Sequence, residues 1–158
     1  MTQPHEEDRT QVFVPLVEGT MVSHFRLGRR IGAGGMGEVY LADDEQLGRR
    51  VALKFLPSQK SNDVDLKNRF IREARAAAKL SHPNIITIHE VGEFNGRPYF
   101  AMEYVEGKSL HEIAHGGSHK MTDLLALATQ VAEGLRRAHE QGIIHRDVKS
   151  ANIIVDAD

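Results

Sequence analysis

Short runs in the first two thirds of the chain alternate apolar and polar side chains, which is typical of half-buried β-strands. Two turn signals separate such runs, a glycine-rich stretch after Ile31 and the pair Asn95-Gly96. Glycine and asparagine are favoured in tight turns because they adopt backbone conformations that most residues disfavour. The pattern predicts five antiparallel strands, over residues 25–31, 37–42, 49–56, 85–91 and 97–103.

A helix is predicted between the third and fourth strands. Apolar residues recur there at three- and four-residue spacing from Leu66 to Ala78, behind the cap-forming run Ser61-Asn62-Asp63. The sequence Ser81-His82-Pro83 ends this pattern, because the residue before a proline is disfavoured in helical conformation.

Two more helices are predicted after the fifth strand. Ser109 and Glu112 fit a capping box that opens a short helix, which the glycines at 116 and 117 end. The longest helix is expected from about Met121 to Gln141, with an apolar stripe, a cap at Thr122 or Asp123, and Gly142 as its stop. A polar loop over residues 143–152 then leads into a short apolar strand at 153–155.

This order of elements predicts an α+β fold. Strands precede most of the helices instead of alternating with them, which disfavours a doubly wound parallel sheet. Residues 1–23 are predicted to form a flexible tail, because they are charged near the start and interrupted by Pro4 and Pro15.

The amino-acid composition excludes, or gives no support to, several classes of function. Twenty basic and 22 acidic residues give a net charge of −2, which gives no support to nucleic-acid binding. The chain has no cysteine, so disulfides, thiolate metal sites and cysteine nucleophiles are excluded. No apolar run approaches the roughly 18 residues that a membrane-spanning helix requires. We therefore expect a cytoplasmic protein without a membrane segment in this chain.

The glycine-rich stretch has the spacing Gly32-x-Gly34-x-x-Gly37. In a dinucleotide-binding fold a helix would follow at once, whereas here the strand pattern continues through Val39. The stretch is therefore predicted to join two antiparallel strands. Such a loop can lie over a polyphosphate with its N–H groups facing the oxygens, since no side chain blocks the approach. A plain glycine-rich hairpin is the alternative.

A lysine interrupts the apolar pattern of the third strand. Burial of Lys54 is costly unless its ammonium group meets an anion, and a phosphate or a carboxylate would serve. Glu73, in the middle of the predicted helix, is a candidate carboxylate. The alternatives are a lysine at a sheet edge that reaches solvent and a glutamate paired with Arg69 one turn earlier.

The sharpest signal is the loop His145-Arg-Asp-Val-Lys-Ser-Ala-Asn152. Its residue types suit phosphoryl transfer: Asp147 can accept the proton of an attacking hydroxyl, and Lys149 can neutralise charge on the transferred group. The side-chain oxygen of Asn152 can bind Mg²⁺. A charged surface loop is the alternative.

These motifs, in this order, resemble the catalytic domain of eukaryotic-type serine/threonine protein kinases. The bacterial branch is indicated by the stretches 32–40, Arg72-Glu73-Ala74, 82–85 and 102–107, and the resemblance extends from about Phe25 to Asp156. It divides the chain into the tail (1–23), a small lobe of five strands and one helix (24–104), and a hinge with an incomplete helical large lobe (105–158).

The resemblance implies ATP, Mg²⁺ and a protein Ser/Thr substrate. Asp147 would be the catalytic base, Lys149 would face the γ-phosphate, Asn152 would hold the metal, and Lys54 would bind the phosphates and pair with Glu73. The residues implied in nucleotide binding are Ile31, Gly32, Gly34, Gly37, Val39, Ala52, Lys54, Glu73, Met102, Glu103 and Val105. Met102 corresponds to the gatekeeper, and Glu103 and Val105 to the hinge contacts.

One departure from the family pattern is evident. Kinases carry Asp-Phe-Gly a few residues beyond the catalytic-loop asparagine, and it is absent after Asn152. We therefore expect a chain truncated after the catalytic loop, with one magnesium ligand, negligible phosphotransfer activity and an exposed apolar patch on the helix over 121–141. The alternative function is a non-catalytic fragment that binds ATP or docks to a partner.

A competing motif is His111-Glu-x-x-His115, which is also the zinc-protease pattern. His119 is a conceivable third ligand. Against a zinc site, glycine follows His115 directly, and Glu112 already has a capping role. A solvated polar helix is the alternative that the sequence favours.

Overall fold

The computed structural model describes residues 15–35 and 37–157, so most of the predicted tail, residues 1–14, lies outside the described part. Within that part, six antiparallel strands form one sheet in the order β1-β2-β3-β4-β6-β5. The strands are β1 (Met21–Val22), β2 (Phe25–Gly34), β3 (Gly37–Asp44), β4 (Arg49–Phe55), β5 (Ile88–Phe94) and β6 (Arg97–Glu103). The predicted α+β class and the five predicted strands are confirmed.

The additional strand, β1, lies in the segment that was predicted as a tail. Val22 pairs with Phe25 of β2 and is fully buried, and Leu16 packs against the same core. The sheet therefore begins before residue 24. A strand of two residues has no alternation to detect, which is why the sequence pattern did not reveal it.

One face of the sheet forms an aromatic core. Phe25 and Tyr99 pack edge to face at a centroid distance of 6.4 Å, and Tyr40 and Phe55 do so at 5.9 Å. This geometry is preferred by aromatic rings and adds to the free energy gained by burying them. The buried members of this cluster are Val22, Phe25, Leu27, Tyr40, Ala42, Val51, Leu53, Phe55, Tyr99 and Ala101.

The opposite face carries a different set of side chains, and we call it the nucleotide face because the family resemblance implies that ATP lies against it. Strand register places Val39 opposite Lys54, Lys54 opposite Phe100, and Ala52 opposite Met102. Cross-strand partners share a face, and so do residues two apart along a strand. Nucleotide-face side chains thus alternate with core side chains along β3, β4 and β6.

A single helix, α1 (Val64–Ala77), packs beside the sheet. Asp63 caps it by accepting the backbone N–H of Leu66 at 3.0 Å, in agreement with the predicted cap region. The ring of Phe70 lies 5.2 Å from that of Phe100 on β6, which fixes the helix against the nucleotide face.

The turn between β3 and β4 is organised by a buried carboxylate. Asp44 is 2% exposed and accepts backbone N–H groups of Gln46 at 3.1 Å and Leu47 at 3.0 Å. Arg49 Nε lies 3.4 Å from the second carboxylate oxygen. These bonds stabilise the negative charge that burial would otherwise disfavour. We refer to residues 15–104 as the sheet lobe.

Residues 105–157, which we call the helical region, contain two short strands and two helices. The elements are β7 (Gly107–Ser109), α2 (Leu110–His115), α3 (Met121–Glu140) and β8 (Ile154–Asp156), with a 3₁₀ turn at Ser150–Asn152. Strand β7 pairs with β8 in a separate two-stranded sheet. The predicted capping box of α2 is present, whereas the predicted N-terminal cap of α3 at Thr122 or Asp123 is wrong, because α3 begins after Lys120 without a side-chain cap. The predicted stop of α3 at Gly142 is confirmed, since Gly142 has φ +71° just after the helix end.

Helix α3 has few buried side chains. Only Gly134 and Ala138 are buried along the helix, and Leu125 is 60% exposed. The helix approaches the sheet lobe at Gly134, where an added Cβ would lie 3.0 Å from the Asn84 carbonyl oxygen. The predicted apolar patch is present as a groove of about 360 Å³, lined by Leu110, Leu124, Leu127, Ala128, Val131, Ala132, Leu135 and Ile153.

Within the described residues, no helix combines the length and apolar character needed to cross a membrane.

Candidate active site

The glycine stretch closes the hairpin between β2 and β3. Gly34 pairs with Gly37, and Gly32 pairs with Val39, so a strand and not a helix follows the loop, as predicted. Gly37 has φ +132°, and a Cβ there would lie 2.1 Å from the carbonyl oxygen of Phe55. Any other residue would therefore clash with β4.

The other two motif glycines have no such internal reason to be glycine. A Cβ at Gly34 would meet nothing within 4 Å, and at Gly32 it would make only ordinary contact with Val39. The space beside Gly34 is open in the protein itself, and that beside Gly32 borders only Val39. An open, side-chain-free loop of this kind allows close approach of a ligand to the backbone.

A partly buried ion pair supports the loop from the core face. Arg97, 7% exposed, donates through Nε to the Leu56 carbonyl oxygen at 2.6 Å, forms an ion pair with Glu38, and lies 5.2 Å over the Phe55 ring. Burial acts to raise the pKa of Glu38, but Arg97 and then Arg30 outweigh it, so the pKa lies below its ordinary value. Glu38 follows Gly37 directly, so this pair fixes the end of the loop.

Lys54 lies at the centre of the nucleotide face. Its ammonium nitrogen is 5.9 Å from the centroid of the Phe100 ring, and the residue is half-buried. Burial lowers the pKa of Lys54, whereas the charges of Asp147 and Glu73 act to raise it. The negative charge of Asp147 therefore acts on Lys54 from the loop over residues 145–152.

The ion pair between Lys54 and Glu73 that the resemblance implies is not formed in the described structure. Glu73 accepts a hydrogen bond from Arg69 Nε at 2.9 Å, one helical turn earlier, and no described carboxylate lies within 4.0 Å of Lys54. The local pair forms because residues four apart on a helix are neighbours. The negative charge of Glu73 nevertheless acts to raise the pKa of Lys54.

The predicted hinge follows the end of β6. Met102 pairs with Ala52 on one side and Ile88 on the other. The backbone N–H of Glu103 donates to the Thr87 carbonyl oxygen at 2.8 Å, and Val105 is half-buried just beyond it. Ile31, also half-buried, precedes the glycine loop at the other edge of the site.

Arg50 contacts the hinge, and sequence reasoning missed this contact. Its guanidinium lies 5.6 Å over the Tyr104 ring and 3.2 Å from Glu106. These two residues flank Val105, so Arg50 attaches both sides of the hinge to the beginning of β4. Neither Arg50 nor Arg97 belongs to a local pattern, because their carboxylate partners, Glu106 and Glu38, are more than 50 residues away in sequence.

The side chains of Asp147, Lys149 and Asn152 in the catalytic loop contact one another. Lys149 Nζ lies 3.1 Å from Asp147 Oδ2, and Asn152 Nδ2 donates to the same oxygen at 3.0 Å and to the Asp147 carbonyl at 2.9 Å. Lys149, Asn152 and His145 lower the pKa of Asp147, so its side chain is ionised at neutral pH. Arg146 has φ +63°, an uncommon conformation for a non-glycine residue that turns the chain at this point.

Asn152 supplies one oxygen donor for a magnesium ion at this position. The amide nitrogen of Asn152 is engaged by Asp147, whereas its amide oxygen makes no hydrogen bond among the described residues. Carboxylate and amide oxygens are the ligands that Mg²⁺ prefers in proteins.

The catalytic loop is attached to the hinge by a short ladder. Strand β8 follows the loop and pairs with β7, which follows the hinge. The N–H of Leu110 donates to Ile153 O at 2.8 Å, and that of Ala157 to Glu106 O at 3.1 Å. The loop and the hinge are thereby held in one local unit.

The structure gives the zinc-protease pattern structural roles. Glu112 accepts the N–H and hydroxyl of Ser109 at 2.8 and 2.7 Å, and His119 Nε2 lies 2.7 Å from Ile113 O. His115 Nδ1 lies 2.8 Å from His111 O. Across residues 15–35 and 37–157, no three His, Cys, Asp or Glu side chains are grouped to hold a metal ion.

A glycine hairpin, a strand lysine on the same sheet face, and an acidic loop facing that lysine define the class of protein kinases. Comparison with known proteins agrees. The family model described as "protein kinase domain" matches residues 25–158, and the chain belongs to this family.

The curated relatives are bacterial serine/threonine protein kinases. PknJ of Mycobacterium tuberculosis is 41% identical over 140 residues, which are 89% of this chain and 24% of PknJ. PknF of the same species is 43% identical over 145 residues, covering 90% of this chain and 30% of PknF. PrkC of Bacillus subtilis is 40% identical over 142 residues, covering 89% of this chain and 22% of PrkC. The chain thus spans about a quarter of the length of these relatives.

Solved structures agree with this assignment. The crystal structure of the M. tuberculosis PknI kinase domain matches with a TM-score of 0.77 and 35% identity. The match covers 90% of this chain and 59% of that domain. The fold and the serine/threonine kinase family expected from the sequence are therefore confirmed.

Proposed function

We propose that this protein binds ATP with Mg²⁺ between the nucleotide face and the catalytic loop and that the site transfers the γ-phosphate to Ser or Thr hydroxyls of proteins. Membership of the kinase family and the relatives' names support this reaction class. The proposal is carried by the placement of Lys54 on β4 beside the glycine hairpin, with Asp147 near enough for its negative charge to raise the pKa of Lys54.

The adenine ring would lie against the sheet near the hinge. Val39 and Ala52 supply apolar surface on the nucleotide face, and Met102 closes its far side. The hinge backbone at Glu103 and Val105 would provide the polar contacts to the ring, as the family resemblance implies. Ile31 would border the ring from β2.

The phosphates would lie under the glycine loop. Gly32 and Gly34 leave room for close approach, and Gly37 keeps the loop against β4. The half-buried ammonium of Lys54 gains an anionic partner when a phosphate is bound, which offsets the cost of its burial.

The chemical step would be supported by the catalytic loop. Ionised Asp147 can accept the proton of the attacking hydroxyl, and Lys149 can neutralise charge on the transferred group. Asn152 would bind Mg²⁺ through its amide oxygen, and the bound ion would supply charge neutralisation at the phosphates.

We further propose that the 158-residue polypeptide, taken alone, binds ATP but has negligible turnover. No Asp-Phe-Gly follows Asn152 in its sequence, and it covers 59% of the PknI kinase domain. A non-catalytic role in ATP binding or partner docking is the second candidate, which the exposed groove on α3 favours. ATP as the phosphoryl donor supports a cytoplasmic location.

Titration calorimetry with ATP and Mg²⁺ tests the binding. We expect saturable binding that Lys54→Met abolishes and that Lys79→Met, an exposed lysine beyond α1, leaves intact. Absence of binding by the unsubstituted chain would contradict the proposal.

A radiolabelled-phosphate assay with a Ser/Thr peptide tests the chemistry. We expect no turnover above background from the 158-residue polypeptide. Robust turnover that Asp147→Asn removes would support the kinase reaction and refute the proposed inactivity of this polypeptide. Robust turnover that Asp147→Asn leaves unchanged would refute the role given to Asp147.

A further inference from the structure

A lysine outside the recognised motifs contacts the glycine loop. Lys60 Nζ donates a hydrogen bond to the carbonyl oxygen of Gly35 at 2.9 Å, across 25 residues of sequence. Lys60 ends the 3₁₀ turn Ser58–Lys60, which follows β4 and precedes α1. No motif or periodicity in the sequence singled it out.

The base of this lysine is rigid. The N–H of Lys60 donates to the Pro57 carbonyl oxygen at 2.9 Å, and the hydroxyl of Ser61 donates to the same oxygen at 3.1 Å. Ser61 is only 2% exposed, so the turn is anchored in the sheet lobe. Proline further restricts the backbone at the start of the turn. The Lys60 side chain therefore extends from a fixed point, although its own end is exposed.

The segment from Phe55 to Lys60 contacts the glycine loop at successive positions. The Phe55 carbonyl lies against Gly37, and the Leu56 carbonyl accepts from Arg97, which pairs with Glu38. Lys60 extends this support to the loop tip. A Cβ at Gly35 would meet nothing within 4 Å, so the described part of the tip has little packing of its own.

We propose that Lys60 is a positioning residue for the phosphate end of the nucleotide site, a role that rests on the proposed ATP binding. The hydrogen bond from Lys60 fixes the direction of the Gly35 carbonyl within the glycine loop. Backbone N–H groups of such a loop are the donors that face phosphate oxygens. The ammonium group also adds positive charge at this end of the loop.

Titration calorimetry with ATP, ADP and adenosine tests this role in the 158-residue chain. We expect Lys60→Met to weaken binding of ATP and ADP about three- to tenfold, the effect of one exposed hydrogen bond with its charge. Adenosine affinity should be unchanged, because adenosine has no phosphate. Lys60→Arg should restore most of the affinity, and Lys79→Met should match the unsubstituted chain.

A structural role alone would give a different result. Lys60 is exposed, so we expect the unfolding midpoint of Lys60→Met without nucleotide to equal that of the unsubstituted chain. Equal losses for ATP and adenosine, or equal affinities for Lys60→Met and Lys79→Met, would overturn the inference alone. Failure of the unsubstituted chain to bind ATP would overturn the proposed function and this inference with it.

Discussion

The sheet lobe and the helical region differ sharply in how their side chains are buried. In the described part of the chain, fifteen hydrophobic residues are buried, and all but Ala138 precede residue 105. The sheet lobe has an aromatic core with fully buried Phe55 and Leu53, whereas α3 exposes Leu124 and Leu125. Hydrophobic burial is the main favourable term in folding, so the sheet lobe supplies most of the stability of this polypeptide.

The two parts of the candidate site are therefore stabilised by different interactions. The side chains of β3, β4 and β6 that we propose bind the nucleotide lie on strands whose opposite face is the aromatic core, and they are therefore held by long-range packing. The catalytic loop is held by short-range hydrogen bonds among Asp147, Lys149 and Asn152 and by the three-residue ladder between β7 and β8. Matched substitutions in the two regions test this division.

The largest expected effect is on the sheet core. Phe55→Ala removes a fully buried ring and should lower the free energy of unfolding by about 3–5 kcal/mol, because the cavity left behind does not fully collapse. Leu125→Ala, at a side chain that is 60% exposed, should change it by less than about 0.5 kcal/mol. Urea unfolding measures both. Similar losses for the two variants would show that α3 is packed as tightly as the sheet.

The second-largest effect on the free energy of unfolding is expected for one of two glycines that have positive φ. Gly37→Ala should cost at least about 3 kcal/mol, because its Cβ would lie 2.1 Å from the Phe55 carbonyl oxygen. Gly142→Ala meets no atom within 4 Å and carries only the penalty of φ +71°, about 1 kcal/mol. Thermal unfolding of both variants checks this order, and a reversed order would contradict the packing of the hairpin against β4.

The third prediction compares two carboxylates, Asp44 and Asp147, and concerns how their contributions to stability change with pH. Burial acts to raise the pKa of Asp44, but the N–H groups of Leu47 and Gln46, then Arg49 and His24, outweigh it and hold the pKa below 3.8. The ionised form is therefore favoured in the folded state. Its stabilisation is present above about pH 4 and is lost as the pH falls through the lowered pKa.

Asp44→Asn should accordingly cost about 1–2 kcal/mol at pH 7, since the charge-assisted bonds are weakened, and less at pH 3. Asp147→Asn, in the exposed catalytic loop, should leave the unfolding midpoint at pH 7 almost unchanged. Thermal unfolding between pH 3 and 7 measures both. An Asp44→Asn deficit that stays constant down to pH 3 would rule out the ionised carboxylate as its source.

The smallest expected effect is an increase in the free energy of unfolding, whereas the preceding substitutions lower it. Burial lowers the pKa of Lys54 below 10.5, so the charged lysine destabilises the folded state at every pH below the lowered value. Lys54→Met should raise the free energy of unfolding at pH 7 by about 0.5–1 kcal/mol. Lys149→Met, in the exposed loop, should give no measurable gain. Destabilisation by Lys54→Met would show that the contact with Phe100 outweighs the cost of burying the charge.

Much of this fold was predictable, because its strands and helices carry regular patterns. Alternation identified the five longer strands, and the capping box identified α2 with its bond between Ser109 and Glu112. The short strands β1 and β7 were missed, because two or three residues cannot show a period. The cap of α3 was assigned to Thr122 or Asp123, whereas the Thr122 hydroxyl instead donates to Asp123.

The parts of the site whose residues lie close together in sequence were predictable, whereas contacts between residues far apart in sequence were not. Asp147, Lys149 and Asn152 lie within six residues, and the structure brings them together. Arg97 and Glu38 are 59 residues apart, so no spacing could reveal their pairing. For Glu73 the sequence left two partners open, and in this structure the nearby Arg69 is the partner and not Lys54.

The alternation of the two sheet faces constrains how this sequence can change in length. Core and nucleotide-face residues are neighbours along β3, β4 and β6, so deletion of one residue inside β4 would turn Lys54 toward the aromatic cluster and Phe55 toward the cleft. Point substitutions alter one face at a time, but a shift of one position would exchange both. Insertions and deletions in this family should therefore accumulate at turns such as 45–48 and 95–96, and not within these strands.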